Sequence, residues 1–349
     1  MSAADLQRHK VGEENISVGD IELDIPGEAV DFLGRSPEDM SLDEGLGAIL
    51  ENATASLGGI LRSAAVPAVT ALTAALFCGM AETAFESSNR VMKVIPLAGA
   101  LAIVAAAGSD IARLASEGYG AVRTLRDFSK GLLASLAAAG GIMGSPGGAS
   151  ARYVAAMLFS DALMTFIDRV MMPALYAYIA VVTAEAAIGG DTLSGLAKLL
   201  KNTVTTVLAL ILTAFTLYLS VSGLVAGGTD ALTVKAAKTV ISNAVPVVGG
   251  VLSDAGETVV ASTRLVRNTA GIAGIITLIS LVIPPFLHLG ARYLLLKLAA
   301  AVSPLVSEGR LSKLIENLSG AFGILLGMLG ACSLMWLISV VSMINLGSA

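Results

Sequence analysis

Charge is scarce in this chain. Only 14% of its 349 residues are Asp, Glu, Lys or Arg, against about 25% in a soluble domain. Aromatics are also few, at 5%, with a single tryptophan, Trp336. The only histidines are His9 and His288, and the only cysteines are Cys78 and Cys332. Two cysteines that each sit inside an apolar run exclude a disulfide framework. Zinc-ligand spacing is missing, so no metal site is assigned. There is no phosphate-cradling glycine loop, no nucleophile elbow and no HExxH helix. Catalytic and cofactor-binding residues are therefore assigned to none, and neither enzyme chemistry nor a nucleic-acid partner is expected.

What remains is apolar and small. Hydrophobic residues make up 55% of the chain, glycine contributes 37 residues, and the mean hydropathy is +0.80. The apolar runs are continuous rather than alternating, which excludes an outer-membrane barrel. The expectation is an all-α, polytopic integral membrane protein whose first partner is the lipid bilayer. Small residues suit it, because close helix approach drives association in lipid.

The net charge of −5 is unevenly placed. The first sixty residues carry nearly half the acidic groups but only Arg8, Lys10 and Arg35 as bases. Residues 1–60 therefore read as an acidic, solvated tail with little fixed structure. Ser41-Leu42-Asp43-Glu44 can cap a short helix within it. Residues 61–130 read as two spans, Ser63–Ala81 and Val94–Ser109, followed by an amphipathic stretch over Asp110–Lys130. That stretch either lies in the interface plane or extends the span before it. In all, six to eight membrane segments are expected.

Two segments are apolar yet broken. Thr239–Ser253 carries no charge but is interrupted by Pro246, Gly249 and Gly250, and ends at Asp254. Gly131–Ser150 has the same character, with Gly140, Gly141 and Pro146. Broken backbone at membrane depth must be buried in protein or line a wet cavity. Both read as re-entrant segments on a pathway. Asn243, Pro246, Gly249, Gly250, Asp254, Gly140, Gly141 and Pro146 are the candidate pathway residues.

The stretch Lys235–Gly274 carries more. Its residues Lys235-Ala236-Ala237-Lys238, Ile241-Ser242-Asn243, Pro246-Val247-Val248-Gly249-Gly250 and Leu252-Ser253-Asp254 resemble the stage III sporulation protein AE family of endospore-forming bacteria. Weaker similarity runs from about Ser63 to the C-terminus. It includes LLASLAAAGG at Leu132–Gly141 and KLAAAVSPLVSEGRL at Lys297–Leu311. Family members carry an N-terminal signal peptide, whereas this chain begins MSAADLQRHK with no apolar h-region.

The C-terminal two-thirds reads as a duplication, with matching strings about 110 residues apart. LAKLLKN at Leu196–Asn202 parallels LSKLIEN at Leu311–Asn317, and each precedes a strong span. Pro173 parallels Pro284 and Pro285. Residues 131–230 and 231–349 are thus two membrane repeats, each opened by a broken segment. Paired broken segments point to a central site. Whether the repeats are parallel or inverted stays open.

Asp161, Asp168 and Arg169 interrupt the apolar run Tyr153–Ala184. An intramembrane charge costs roughly 2.5–3.5 kcal/mol on insertion scales. On a continuous helix Asp161 and Asp168 lie about two turns apart and share a face. Two readings remain open: a polar lining of a path, and a hairpin turn near Asp168 at the membrane edge, which is slightly preferred.

The resemblance implies a function. It describes a membrane subunit of the sporulation channel, a secretion-like apparatus linking mother cell and forespore and needed for late forespore gene expression. The protein would reside in the mother-cell membrane surrounding the forespore. It would assemble with other stage III A proteins and, through them, with the stage II Q protein of the forespore. Self-association into a homo-oligomer is compatible with this, and a separate ATPase-like subunit would supply energy. The alternative is a secondary transporter for a small solute, favoured by broken helices in repeats.

Overall fold

The structure is a computed structural model. It describes residues 14–18, 21–37, 40–84, 91–142, 146–188, 193–221, 269–305, 307 and 309–344. The signature residues Asn243, Pro246, Gly249, Gly250 and Asp254 lie outside the described residues, so the second expected broken segment does too.

The chain opens with a two-stranded antiparallel hairpin, β1 (Glu14–Val18) and β2 (Ile21–Ile25), registered with Glu14 opposite Ile25 and Val18 opposite Ile21. A short helix follows, α1 (Gly27–Leu33). Gly34 ends it at φ 74°, in the left-handed region, and donates its N–H to the Val30 carbonyl. Only glycine adopts that conformation without cost. This part corrects the expectation of a tail with little fixed structure. The alternation Ile21, Leu23, Ile25 suits a strand. Ile25, Ala29 and Leu33 then bury themselves in the main apolar core, and Asn52 Nδ2 donates to the Phe32 carbonyl at 2.8 Å.

Helix α2 (Leu42–Ala84) starts at the expected cap. Ser41 N donates to Glu44 Oε2 at 2.9 Å and Glu44 N donates back to Ser41 Oγ at 3.3 Å, a reciprocal capping box. The helix is not short, however. No breaker stands between the cap and the first span, so both form one rod of 43 residues.

The same holds for α3 (Val91–Ile142), which has 52 residues. The amphipathic stretch Asp110–Lys130 is a continuation of the second span, not a separate interfacial helix. At 1.5 Å per residue α3 is about 78 Å long, well over twice the roughly 30 Å hydrocarbon core.

After α3 come α4 (Pro146–Phe166), a π-helical turn (Ile167–Met171) and α5 (Met172–Ile188), which together make one long element. Then follow α6 (Ser194–Val221), α7 (Thr269–Val302), a 3₁₀ turn (Ser303–Leu305) and α8 (Gly309–Ile344). Six helical elements are long and apolar enough to cross a membrane. The fold is all-α and polytopic, with the small hairpin appended.

Gly140 and Gly141 lie in the helical end of α3, and Pro146 is the first residue of α4. The described part of Gly131–Ser150 is therefore helical on both sides of residues 143–145, which lie outside the described residues. Glycines raise the local cost of a helix by only about 1 kcal/mol each, and proline is at home in a first turn.

The helix directions follow from contacts. Gly45 lies against Ile276, and Ile60 and Ala64 pack on Ala291, in the same order along both rods, so α2 and α7 run parallel. Asp110 meets Arg292 and Leu132 meets Gly274, so α3 runs antiparallel to α7. Phe159 packs edge-on to Phe215, with ring centroids 5.3 Å apart, and Tyr178 and Lys201 both lie beside Gly320, so α6 runs antiparallel to the α4–α5 element. Helix α8 is the centre of the bundle. Its most apolar window is 78% buried, and Trp336 is fully enclosed rather than anchored at an interface.

Each repeat string starts at the third residue of its helix, Leu196 in α6 and Leu311 in α8. The two strings also come together. A Cβ on Gly320, just beyond LSKLIEN, would stand 3.4 Å from Lys201 Nζ of LAKLLKN.

Candidate functional site

Asp161 and Asp168 do share a face, and that face meets α3. Lys130 Nζ donates to Asp161 Oδ1 at 3.1 Å. The Tyr119 hydroxyl donates to Asp168 Oδ1. Arg123 stacks over the Tyr119 ring, 4.6 Å from its centroid. Tyr119, Arg123, Arg126 and Lys130 recur at helical spacing, so they form one stripe of α3. The product is a polar seam along the α3–α4 contact. It is not sealed, since Asp161 is 65% and Asp127 64% exposed.

The hairpin turn preferred from sequence near Asp168 is absent. The chain stays helical there but widens, with Met172 N–H reaching back to the Ile167 carbonyl. Pro173 explains the widening. It lacks an N–H, and its ring would collide with the carbonyl four residues back, on Arg169. A π turn just before it relieves that clash. Ile167 and Met171 stay buried through the turn, while Asp168 and Arg169 remain exposed.

A second polar group was not singled out in the sequence. Asp110 Oδ2 accepts from Arg292 Nε at 2.5 Å, with the Arg292 side chain only 3% exposed. Asp110 Oδ1 also accepts from Arg113, which reaches on to Glu117 at 2.7 Å. Arg292 Nη1 is buried without a hydrogen-bond partner. His288 stands one turn from Arg292 on α7 and is half-buried. Arg292 follows Pro284, Pro285 and His288 in an apolar run, which was the available signal. The partner Asp110 lies far off in sequence, and only the antiparallel packing of α3 on α7 reveals it.

The depth of these groups matters. Gly118, on the charged half of α3, packs against Leu289 of α7 and Met328 of α8. The charged half of α3 thus lies beside the most apolar parts of the bundle, not beyond them. No group of three or more His, Cys, Asp or Glu side chains fit to hold a metal occurs among the described residues. The seam can bind, relay or line, because it offers carboxylates, guanidiniums and a phenol.

Residues 28–347 match the family model described as Stage III sporulation protein AE. The chain is also 28% identical, over 235 residues, to the stage III sporulation protein AE of Bacillus subtilis (strain 168). That similarity covers 65% of this chain and 57% of the relative, so the chain spans little more than half of that protein. No solved structure matches. With nearly its whole described length matched, from α1 through α8, this chain belongs to the stage III sporulation protein AE family.

Proposed function

We propose that the chain is the membrane subunit of a sporulation channel complex that links mother cell and forespore and sustains late forespore gene expression. It would sit in the mother-cell membrane around the forespore. Its partners would be other stage III A proteins and, through them, the stage II Q protein. The subunit would supply the membrane passage rather than the energy.

The observation that carries this reading is the exposed seam of Asp161, Lys130, Asp168 and Arg123 beside apolar spans. Each charge left in lipid costs roughly 2.5–3.5 kcal/mol. The seam therefore faces water or another subunit, as a wall of a passage does. The buried Asp110–Arg292 pair is the feature that favours the second reading, a self-sufficient secondary transporter, since paired intramembrane charges mark ion-coupled routes.

The test is charge reversal in the seam. Asp161 is largely exposed, so losing its pair costs at most about 1 kcal/mol of stability. Asp161→Lys is expected to lower a late forespore reporter at least tenfold while membrane levels of the protein stay normal. Normal reporter expression at normal protein levels would refute the passage role. Solute uptake by the purified chain alone in proteoliposomes would move the balance to the transporter.

A further inference from the structure

A cavity of about 230 Å³ opens between α5 and α8. It has room for about seven waters at roughly 30 Å³ each. Val182 and Glu185 wall it from α5, and Arg310, Lys313, Leu314 and Asn317 from α8. Arg310, Lys313 and Asn317 stand three and four residues apart, so they occupy one helix face. Its position next to Tyr178 is closed by a hydrogen bond: the Tyr178 hydroxyl donates to the Asn317 carbonyl at 2.9 Å. Glu185 is in the last turn of α5 and Arg310 in the first turn of α8. The cavity therefore lies at the ends of two spanning helices, where lipid headgroups lie.

The charges in this cavity are mixed. Two cationic side chains line it together with one carboxylate, and Glu185 Oε2 is buried without a hydrogen-bond partner. A buried acceptor left unmet costs roughly 1–3 kcal/mol, more when charged. A simple anion would meet Arg310 but place its charge beside Glu185. A simple cation would do the reverse. A ligand with a phosphodiester and an ammonium a few bonds apart meets both. Large apolar side chains stand exposed near the same helix ends, Leu196 and Leu199 on α6. They offer a surface for acyl chains.

We propose that this cavity binds the phosphoethanolamine headgroup of a membrane lipid, its phosphate held by Arg310 and its ammonium by Glu185. The site is separate from the α3–α4 seam and does not depend on the channel reading.

The experiment uses the full chain, purified in detergent and offered phosphatidylethanolamine, phosphatidylglycerol or free glycerophosphoethanolamine. Bound lipid is counted by native mass spectrometry. The wild type is expected to retain phosphatidylethanolamine at least tenfold over phosphatidylglycerol. Glu185→Gln should abolish that preference while still retaining phosphatidylglycerol, and Arg310→Ala should weaken retention of both. Circular dichroism of each variant checks that the helices remain. Equal retention of the two lipids by the wild type would overturn the proposal, as would an undiminished preference in Glu185→Gln. Binding of the free headgroup as tightly as the lipid would overturn its lipid origin and make the cavity a solute site.

Discussion

Asp110 is held by two guanidiniums from different helices, Arg113 beside it on α3 and Arg292 across on α7. The second of these is enclosed, so its charge has no recourse to water. Removing one partner of a buried pair typically costs about 3–5 kcal/mol, whereas replacing both by apolar groups is often neutral or better. Asp110→Asn is therefore expected to lower the thermal unfolding midpoint of the purified protein sharply. Asp110→Asn combined with Arg292→Met should recover most of the loss. A single variant that melts like the wild type would show that the pair contributes nothing to stability. At this scale the sequence was partly legible. The two-turn spacing of Asp161 and Asp168 placed them on one face, because helical periodicity is local. Their partners Lys130 and Tyr119, and the pairing of Asp110 with Arg292, depend on which helices meet, and no local pattern encodes that.

At the scale of elements, apolar spans were readable but their ends were not. Ser63–Ala81 and Val94–Ser109 are the uncharged portions of α2 and α3, yet both helices continue far into polar sequence. Charge alone does not stop a helix; a breaker does, and none stands at Glu51 or Asp110. The same reasoning explains Gly140 and Gly141, which α3 absorbs. Conversely, Pro173 does leave a mark on the helix, in the π turn before it. The α3–α4 packing can be checked by chemical bridging, in a background without Cys78 and Cys332. Cysteines replacing Lys130 and Asp161 should be joined by a short bismaleimide. Cysteines replacing Lys130 and Arg169 should not, since Arg169 stands about two turns from Asp161 and off its face. Equal bridging of both pairs would refute the antiparallel register.

For the whole molecule, the deciding contrast is between two kinds of exposed surface. Leu210 on α6 is 61% exposed and apolar, as a lipid-facing residue should be. Asp127 on α3 is 64% exposed and charged. In membranes, a cysteine at position 210 should resist a membrane-impermeant thiol reagent while one at position 127 reacts. Protection at both positions in the chain alone, as well as in the assembled complex, would mean the seam is neither wet nor awaiting a partner. The fold class was legible in composition, because 14% charge and continuous apolar runs leave few alternatives. The sidedness of the polar seam was not, because it arises from the offset between the charged half of α3 and the apolar lengths of α7 and α8.

The courses of α6 beside α4 and of α7 beside α3 sort the helix ends. Helix α6 descends alongside α4 and ends near the start of that helix, at the end of the bundle where α3 also finishes. Helix α7 begins at that same end, with Gly274 against Leu132 of α3. The chain thus leaves α6 and re-enters α7 on one side of the membrane. The opposite end collects Lys198, Lys201, Lys297, Arg310 and Lys313, and basic flanks are retained in the cytoplasm. By that rule the acidic N-terminal region, the facing ends of α6 and α7 and the C-terminal end of α8 share the far side.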